Sequence, residues 1–295
     1  MISWKEAEIV AVIKEMSGIV ENFTRNKFIH LIKARIKILY ILIIIFVIIS
    51  SEGCAVIKYF NEPKGFHRFT SDARIFYETR AEARAKVIAE SLNQAIKVIE
   101  KKQYRPFSTK IRIYVFSNLK NFEKHDPSKN SAGVTFGGRF MILSPKKSNT
   151  LDRLPRVLTH ELSHYQLFGY TGVIKAVVLP VWFKEGLAVW ASDGGGAENV
   201  TEEEAKQALL SGLKFNPIYH EPILWGRKSC SKNMETHMFY RQSSMFIQYL
   251  YQKDEKHFKK MLNLVQEKGN LKYAIKSAYH QSLNLLWSGF LKSLK

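Results

Sequence analysis

Residues 158–167 read LTHELSHYQL and contain the most informative pattern in the chain. The stretch places His160 and His164 four residues apart, with Glu161 directly after the first histidine. Residues i and i+4 lie on one face of an α-helix, so the two imidazoles can bind the same metal ion. The glutamate beside them is positioned to take a proton from water at that metal. This HExxH motif predicts a zinc-binding helix.

A candidate third ligand follows 21 residues after His164. Glu185 lies in residues 179–190, LPVWFKEGLAVW, where Pro180 is suited to the start of a second helix. Two histidines and one carboxylate leave the fourth position of a tetrahedral zinc open for water, which is typical of catalytic sites. Two alternatives stay open: Glu185 is an exposed helix carboxylate, or the whole motif is a chance match on a metal-free pair of helices.

Together, HELSH and the later P-x-W-x-x-E-G-L-A resemble the gluzincin metallopeptidases, most closely their peptidase MA-like branch. The resemblance covers roughly Lys58 to the C-terminus. It implies an α+β fold in which a small antiparallel sheet packs with the HExxH active-site helix and a helical C-terminal lobe follows. It also implies an edge strand beside the zinc, where an extended peptide substrate pairs with free backbone groups. We expect residues 139–143 to form that strand.

The same resemblance implies a zinc metallopeptidase that hydrolyses peptide or protein substrates. His160, His164 and Glu185 would hold one Zn²⁺ ion, and Glu161 would move the proton from the attacking water to the leaving amine. Asp193 is a candidate for orienting a ligating histidine.

A tyrosine is the second candidate catalytic residue. Gluzincins that resemble this chain carry a transition-state tyrosine at a similar distance after the third ligand. Tyr240, in residues 238–250 (MFYRQSSMFIQYL), occupies that place. The alternative is a tyrosine of the hydrophobic core.

A second function class competes with the enzyme. The chain could be a non-catalytic, membrane-tethered envelope protein that keeps a vestigial metal site or binds polyanions through its charge. The intact Glu161 favours the enzyme, because a purely structural metal site needs no base.

The sequence favours an endopeptidase over an aminopeptidase. Aminopeptidases of the gluzincin group hold the substrate's ammonium with a Glu in a G-x-M-E-N stretch ahead of HExxH. Here residues 137–141 read GGRFM, and the cation of Arg139 would repel a free N-terminus. The alternative is that another carboxylate, such as Glu235, supplies the anchor.

The overall charge is strongly positive. Lys and Arg number 45 against 26 Asp and Glu, which gives +19 and a pI near 9.8. Such a charge suits anionic lipid, cell-wall polymer or nucleic acid, but no nucleic-acid motif accompanies it. Because the basic residues occur in every segment, a Lys-rich solvated surface is favoured over a dedicated polyanion site. The two cysteines, Cys54 and Cys230, permit one disulfide or two free thiols.

An apolar run precedes the motif region. Residues 38–49, ILYILIIIFVII, follow a basic flank that includes Lys37, and Ser-Ser-Glu-Gly comes after them. Twelve residues of helix span about 18 Å, less than a hydrocarbon core of about 30 Å, so the run suits a signal-peptide core as well as a membrane anchor. Both place the following domain outside the cytoplasm. A buried core helix and lipid attachment at Cys54 are the alternatives.

The N-terminal 37 residues include a stretch, 4–23, with apolar residues at helical spacing that could lie on a membrane surface. A cytoplasmic extension, or a true start at Met16, is equally compatible with the pattern. The predicted organisation is a cytoplasmic basic or amphipathic segment (1–37), an anchor or signal segment (38–53), a linker (54–65) and a gluzincin-like domain (66–295). We expect a membrane-associated protein with an extracytoplasmic catalytic domain, secreted if the segment is cleaved.

Short patterns predict the elements of that domain. Extended runs occur at 66–69, 73–77, 111–116, 134–136 and 139–143, with Gly137 and Gly138 as a tight hairpin turn. Thr79 with Glu82 and Thr201 with Glu204 form capping-box patterns, and the first of these helices should end near Lys102. The motif helix should begin near Asp152, with Pro155 in its first turn, and three or four helices should follow Met234. We expect five aromatic side chains of the C-terminal region to be in the core: Tyr249, Phe258, Tyr273, Trp287 and Phe290.

Overall fold

The computed structural model describes residues 61–126, 128, 131–146, 150–220 and 234–295. Residues 4–23 and 38–49 and both cysteines, to which several predictions refer, lie outside these ranges. Within the described ranges, no helix is both long enough and apolar enough to cross a membrane. Asn61–Lys295 forms one compact unit.

One mixed sheet is formed by the five strands of the described chain. They are β1 (His67–Arg68), β2 (Ile75–Tyr77), β3 (Ile113–Val115), β4 (Gly133–Phe136) and β5 (Phe140–Leu143). The order is β1-β2-β3-β5-β4; β2, β3 and β5 are mutually parallel, and β1 and β4 are antiparallel at the two ends. The expected antiparallel sheet is therefore wrong for the two central pairings. Long crossover connections between β2 and β3 and between β3 and β5 allow those neighbours to run in the same direction.

The hairpin between β4 and β5 turns at the predicted glycine pair. Gly137 and Gly138 have φ values of +58° and +69°, and the Arg139 N–H donates to the Phe136 carbonyl at 2.9 Å. However, β4 forms the edge of the described sheet, and β5 lies between β3 and β4. The assignment of residues 139–143 to the free edge is therefore wrong. All four β5 residues are buried, as expected for an inner strand covered on both faces.

The crossover from β2 to β3 contains helix α1, Glu82–Gln103, which packs against the motif helix. Its buried stripe follows the helical period: Ala85, Ile88, Leu92, Ala95 and Ile99. The predicted capping box at Thr79 is wrong, because Ala81 is the N-cap residue and no side chain caps the helix. The helix begins later than the box requires, and this places Glu82 in the first turn at N1 and not at N3. A short helix, α2, covers Leu119–Glu123.

The motif lies on α3, Leu154–Thr171, with Pro155 in the first turn as predicted. After Gly172 follow α4, Val173–Val178, and α5, Val181–Ala191, whose N-cap residue is Pro180. Helix α3 contacts α1, α5 and strand β4, so it lies at the centre of the fold.

The C-terminal part of the described chain is helical, as expected. It contains α6 (Glu202–Leu210), α7 (Thr236–Lys253), α8 (Glu255–Lys268), α9 (Leu271–Tyr279) and α10 (Leu283–Ser293). The capping box of Thr201 and Glu204 is confirmed. Aromatic rings of three helices and one loop meet in this core: Trp182, Phe215, Phe246 and Trp287.

Most of the five aromatic residues predicted for the C-terminal core are in or against it. Phe258, Trp287 and Phe290 are buried, and Tyr249 packs partly against the core. Tyr273 is 45% exposed, so that prediction is wrong for it. Its ring lies 4.9 Å from the ammonium of Lys268 at the surface.

Helices α5 and α7 approach closely at Gly186. A Cβ atom on this residue would lie 2.7 Å from the backbone oxygen of Ser243. Backbone atoms cannot move away as the tip of a side chain can, so the contact requires glycine.

We expect Gly186→Ala to destabilise the fold by about 1–3 kcal/mol, because α5 and α7 must separate. The matched control is Gly289→Ala in α10, where the nearest atom is the flexible hydroxyl of Tyr249. There the helical preference for alanine offsets the contact by up to about 1 kcal/mol. Thermal unfolding of both variants would measure the difference, and equal melting temperatures would contradict the close approach.

Candidate metal centre

Two helices bring the three predicted ligands together. His160 and His164 lie on the buried face of α3, and their Nε2 atoms are 3.2 Å apart. Glu185 projects from α5, with its Oε2 atom 3.4 Å from Nε2 of His160 and 3.5 Å from Nε2 of His164. Among the described residues, these are the only three His, Cys, Asp or Glu side chains grouped closely enough to hold a metal ion. The predicted ligand group is therefore present as a cluster.

The dimensions of this triangle fit one metal ion. A tetrahedral ion with metal–ligand bonds of about 2.0–2.1 Å places its ligand atoms about 3.3 Å from one another. The three observed separations are 3.2, 3.4 and 3.5 Å. Two imidazole nitrogens and one carboxylate oxygen suit zinc, and other divalent transition metals accept the same donors.

The side chains of the cluster change one another's pKa values. Burial lowers the pKa of His160, but the hydrogen bond and negative charge of Glu185 outweigh it and raise the pKa to about 9. Burial raises the pKa of Glu185, but the charge of His164 and the hydrogen bonds from both imidazoles bring it well below its usual value. The carboxylate is thus stabilised in its ionised form, which is the form that binds a cation.

The other ring nitrogen of His160 has a backbone partner. Its Nδ1 atom lies 2.8 Å from the carbonyl oxygen of Gly195, which can only accept a hydrogen bond. In the neutral form of the ring that binds a metal, the proton on Nδ1 leaves the lone pair on Nε2, facing Glu185. Asp193, the residue proposed for this role from sequence, is exposed. No side-chain pattern in the sequence indicates Gly195, because its partner atom for His160 is a backbone carbonyl oxygen.

The loop that provides this carbonyl, residues 192–200, is held from two sides. Arg241 of α7 donates to the carbonyl oxygens of Val200 at 2.8 Å and Ala197 at 3.1 Å. Glu198 lies 3.1 Å from Arg153 at the start of α3. The backbone of Gly196 packs on the His160 ring, where a Cβ would be 2.9 Å from Cε1. The orientation of the imidazole therefore depends on how α3 and α7 hold this loop.

His164 is oriented by stacking. Its ring lies parallel to that of Phe168, with the centroids 5.7 Å apart and an interplanar angle of 16°. Among the described residues, no group forms a hydrogen bond with its buried Nδ1 atom. Residue 168 is four positions after 164, so the contact follows from the helix itself.

Glu161 is buried beside the cluster and contacts the edge strand. The hydroxyl of Thr135 in β4 lies 2.8 Å from its Oε2 atom and 3.0 Å from its backbone oxygen. A Cβ on Gly133 would lie 2.7 Å from its Cγ atom, so the strand is in close contact with the side chain. Burial raises the pKa of Glu161, and the nearby charges of His164 and His160 and the Thr135 hydrogen bond lower it by less. The carboxylate therefore holds a proton more readily than an exposed glutamate does.

Thr135 was not identified from the sequence. Residues 134–136 were predicted to form a strand, but a threonine in a strand is common and carries no functional signal.

Tyr240 lies on α7, and the structure neither confirms nor excludes its predicted role. Its half-buried ring packs against the core, with the Phe239 ring centroid 5.9 Å away. The adjacent residue, Arg241, contacts the loop that holds His160. The assignment of its hydroxyl to catalysis stays a prediction.

Comparison with models of protein families gives no match to the chain, and no curated protein matches its sequence.

We expect Glu185→Ala to lose most of the bound metal, because removing one of three ligands leaves two imidazoles without the charged donor. Glu202→Ala, which removes an exposed glutamate of α6, should retain the metal and serves as the matched control. Metal content per chain after dialysis, with circular dichroism to verify folding, measures the effect. Full occupancy in a folded Glu185→Ala protein would remove this residue from the site.

Proposed function

We propose that the protein is a zinc-dependent metallopeptidase of the gluzincin type that hydrolyses internal peptide bonds. The observation that carries this proposal is the placement of Glu161. Its buried carboxylate lies next to His160 and contacts the edge strand of the sheet through Thr135. A purely structural metal site would not need a base at that position.

The metal would be held by His160, His164 and Glu185. When bound, zinc would supply Lewis-acid activation of water and of the substrate carbonyl. Three protein ligands leave one position for these groups. Zinc is proposed from the donor set, since the structure identifies a cluster and not the ion.

Glu161 would carry the proton through the reaction. Its carboxylate takes a proton from the attacking water as the water oxygen bonds to the carbonyl carbon. The same proton then goes to the amide nitrogen as the C–N bond breaks. A carboxylate with a raised pKa suits both steps, because it accepts the proton more readily than an ordinary glutamate and can then release it to the leaving amine.

The substrate would lie along β4. This strand has β5 on one side only within the described sheet, so its other side offers backbone groups to an extended peptide. Thr135 lies in the same strand and contacts Glu161. A peptide paired with β4 would therefore extend beside the proposed base.

Two further roles are proposed from the sequence. The Tyr240 hydroxyl would donate a hydrogen bond to the oxyanion of the tetrahedral intermediate, and normal turnover in Tyr240→Phe would refute this. Arg139 is exposed at the hairpin, where the aminopeptidase branch has a carboxylate, which favours an endopeptidase.

We also propose that residues 38–49 export or anchor the domain. Protection of the domain from protease added to intact spheroplasts would contradict this.

The rival function is a non-catalytic envelope protein with a vestigial metal site. The experiment that separates the two compares wild type with Glu161→Gln. We expect the variant to bind metal normally and to lose turnover by about 10²–10⁴-fold, because the amide cannot accept the proton. Internally quenched peptides with free and acetylated N-termini provide the assay, and an endopeptidase cleaves both.

Equal turnover of wild type and Glu161→Gln would exclude the proposed role of the base. Absence of cleavage by metal-loaded wild type across a broad peptide library would favour the rival function.

Thr135 is expected to act as a positioning residue for Glu161. Thr135→Val preserves the shape of the side chain but removes the hydrogen bond to the carboxylate. Such bonds are worth about 1.5–3 kcal/mol, so kcat should fall about tenfold to a hundredfold. The KM and the metal content should remain near wild type.

Thr135→Ser retains the hydroxyl and is the matched control, with kcat expected near wild type. If Val and Ser variants had the same kcat, the hydroxyl would have no part in positioning Glu161.

A further inference from the structure

The domain has one end at which its first described residues and the β4–β5 hairpin lie close together. Near its start, the carboxylate of Glu62 pairs with Arg112 and accepts a hydrogen bond from Tyr114 at 2.6 Å. The hydroxyl of Tyr165 lies 2.6 Å from the carbonyl oxygen of Lys110 and 2.8 Å from that of Arg139. These contacts connect the point at which the chain enters the domain with the hairpin tip.

Helix α4 extends this end with exposed apolar side chains. The hairpin contacts α4, since a Cβ on Gly137 would lie 2.5 Å from Val173. Ile174 is 87% exposed and Val177 is 48% exposed. They are three residues apart and therefore share a face of the helix. Ile174 is the most exposed large apolar side chain of the described chain.

Basic residues are also exposed at this end of the domain. Lys110, Arg112, Arg139 and Lys175 are exposed at the same end, and Glu62 offsets the charge of only one of them through its pair with Arg112. Apolar side chains among cations suit an anionic bilayer, where the apolar groups enter the headgroup layer and the cations contact lipid phosphates. Nucleic acid offers no apolar layer for Ile174. A second copy of the chain would present the same positive charge.

The sequence before the domain supports the same partner. Only eleven residues, 50–60, separate the apolar run 38–49 from Asn61. Fully extended, they span at most about 40 Å. If the apolar run lies in a membrane, the end of the domain that contains Glu62 stays near the surface of that membrane.

We propose that Ile174 and Val177, with Lys110, Arg112, Arg139 and Lys175, form a docking surface for anionic lipid bilayers. This docking surface does not depend on peptidase activity. It would hold the domain in one orientation, with the hairpin tip toward the lipid headgroups.

The test measures the reactivity of a single cysteine in the full chain. Ile174→Cys is prepared in a background with Cys54→Ser and Cys230→Ser, and Leu285→Cys in α10 is the control, because Leu285 is also exposed, at 58%. Both proteins are placed in lipid nanodiscs, which expose both membrane faces, and treated with a membrane-impermeant maleimide. The nanodiscs contain either phosphatidylcholine alone or phosphatidylcholine with phosphatidylglycerol.

In discs with phosphatidylglycerol, labelling at position 174 should slow about tenfold, because docked apolar side chains lie below the headgroups and out of reach of an aqueous reagent. Position 285 should label equally in both discs. Charge reversal by Lys110→Glu with Arg139→Glu should restore labelling at position 174, and so should high salt, which screens the attraction.

Equal labelling at positions 174 and 285 in anionic discs would overturn the proposal. Protection at 174 in phosphatidylcholine discs, unaffected by charge reversal, would overturn the assignment to anionic lipid. Protection in detergent that increases with protein concentration would identify a second copy of the chain as the partner.

Discussion

The arrangement of the candidate site depends on the contact between the carboxylate of Glu185 and the two imidazoles of α3. A buried carboxylate without partners costs several kcal/mol, and here two ring nitrogens lie within 3.5 Å of it. The next residue, Gly186, brings α5 against the backbone of α7. One helix therefore supplies a ligand and part of the central packing. The packing of the core therefore determines the position of the ligand.

The two carboxylates of the site have environments that change their pKa values in opposite directions. Glu185 faces the imidazoles and its pKa is lowered, whereas Glu161 lies against the sheet edge and its pKa is raised. This difference separates the proposed roles, since a ligand should stay ionised and a proton carrier should exchange its proton. Both groups lie within the α3–α5–β4 layer. The difference arises because the imidazoles outweigh the effect of burial at Glu185 but not at Glu161.

The sequence identified the parts of the site that depend on helical spacing. His160 and His164 follow from the four-residue spacing, and the flanking pattern of Glu185 placed it on a second helix. The hairpin glycines and the capping box at Thr201 were also read correctly, because those signals are local. The order of the strands was not predicted correctly, because either arm of an apolar hairpin can pair with the rest of a sheet. The contacts of Gly195 and Thr135 also escaped prediction, because they depend on residues distant in sequence and on a backbone atom.

The partner of His160 has a consequence for how the site can change during evolution. A side-chain partner can be lost in one substitution, but the carbonyl of Gly195 belongs to the backbone and is present whatever residue occupies that position. The hydrogen bond therefore needs no particular side chain, but it depends on the path of the loop. That path also requires glycine at this position, because a Cβ would lie 2.9 Å from the backbone oxygen of Arg156. An insertion or deletion between Ser192 and Thr201 would move the carbonyl while leaving HExxH and the later glutamate intact. A descendant with such a change would keep every residue of the sequence motif and still lose the orientation of its first histidine.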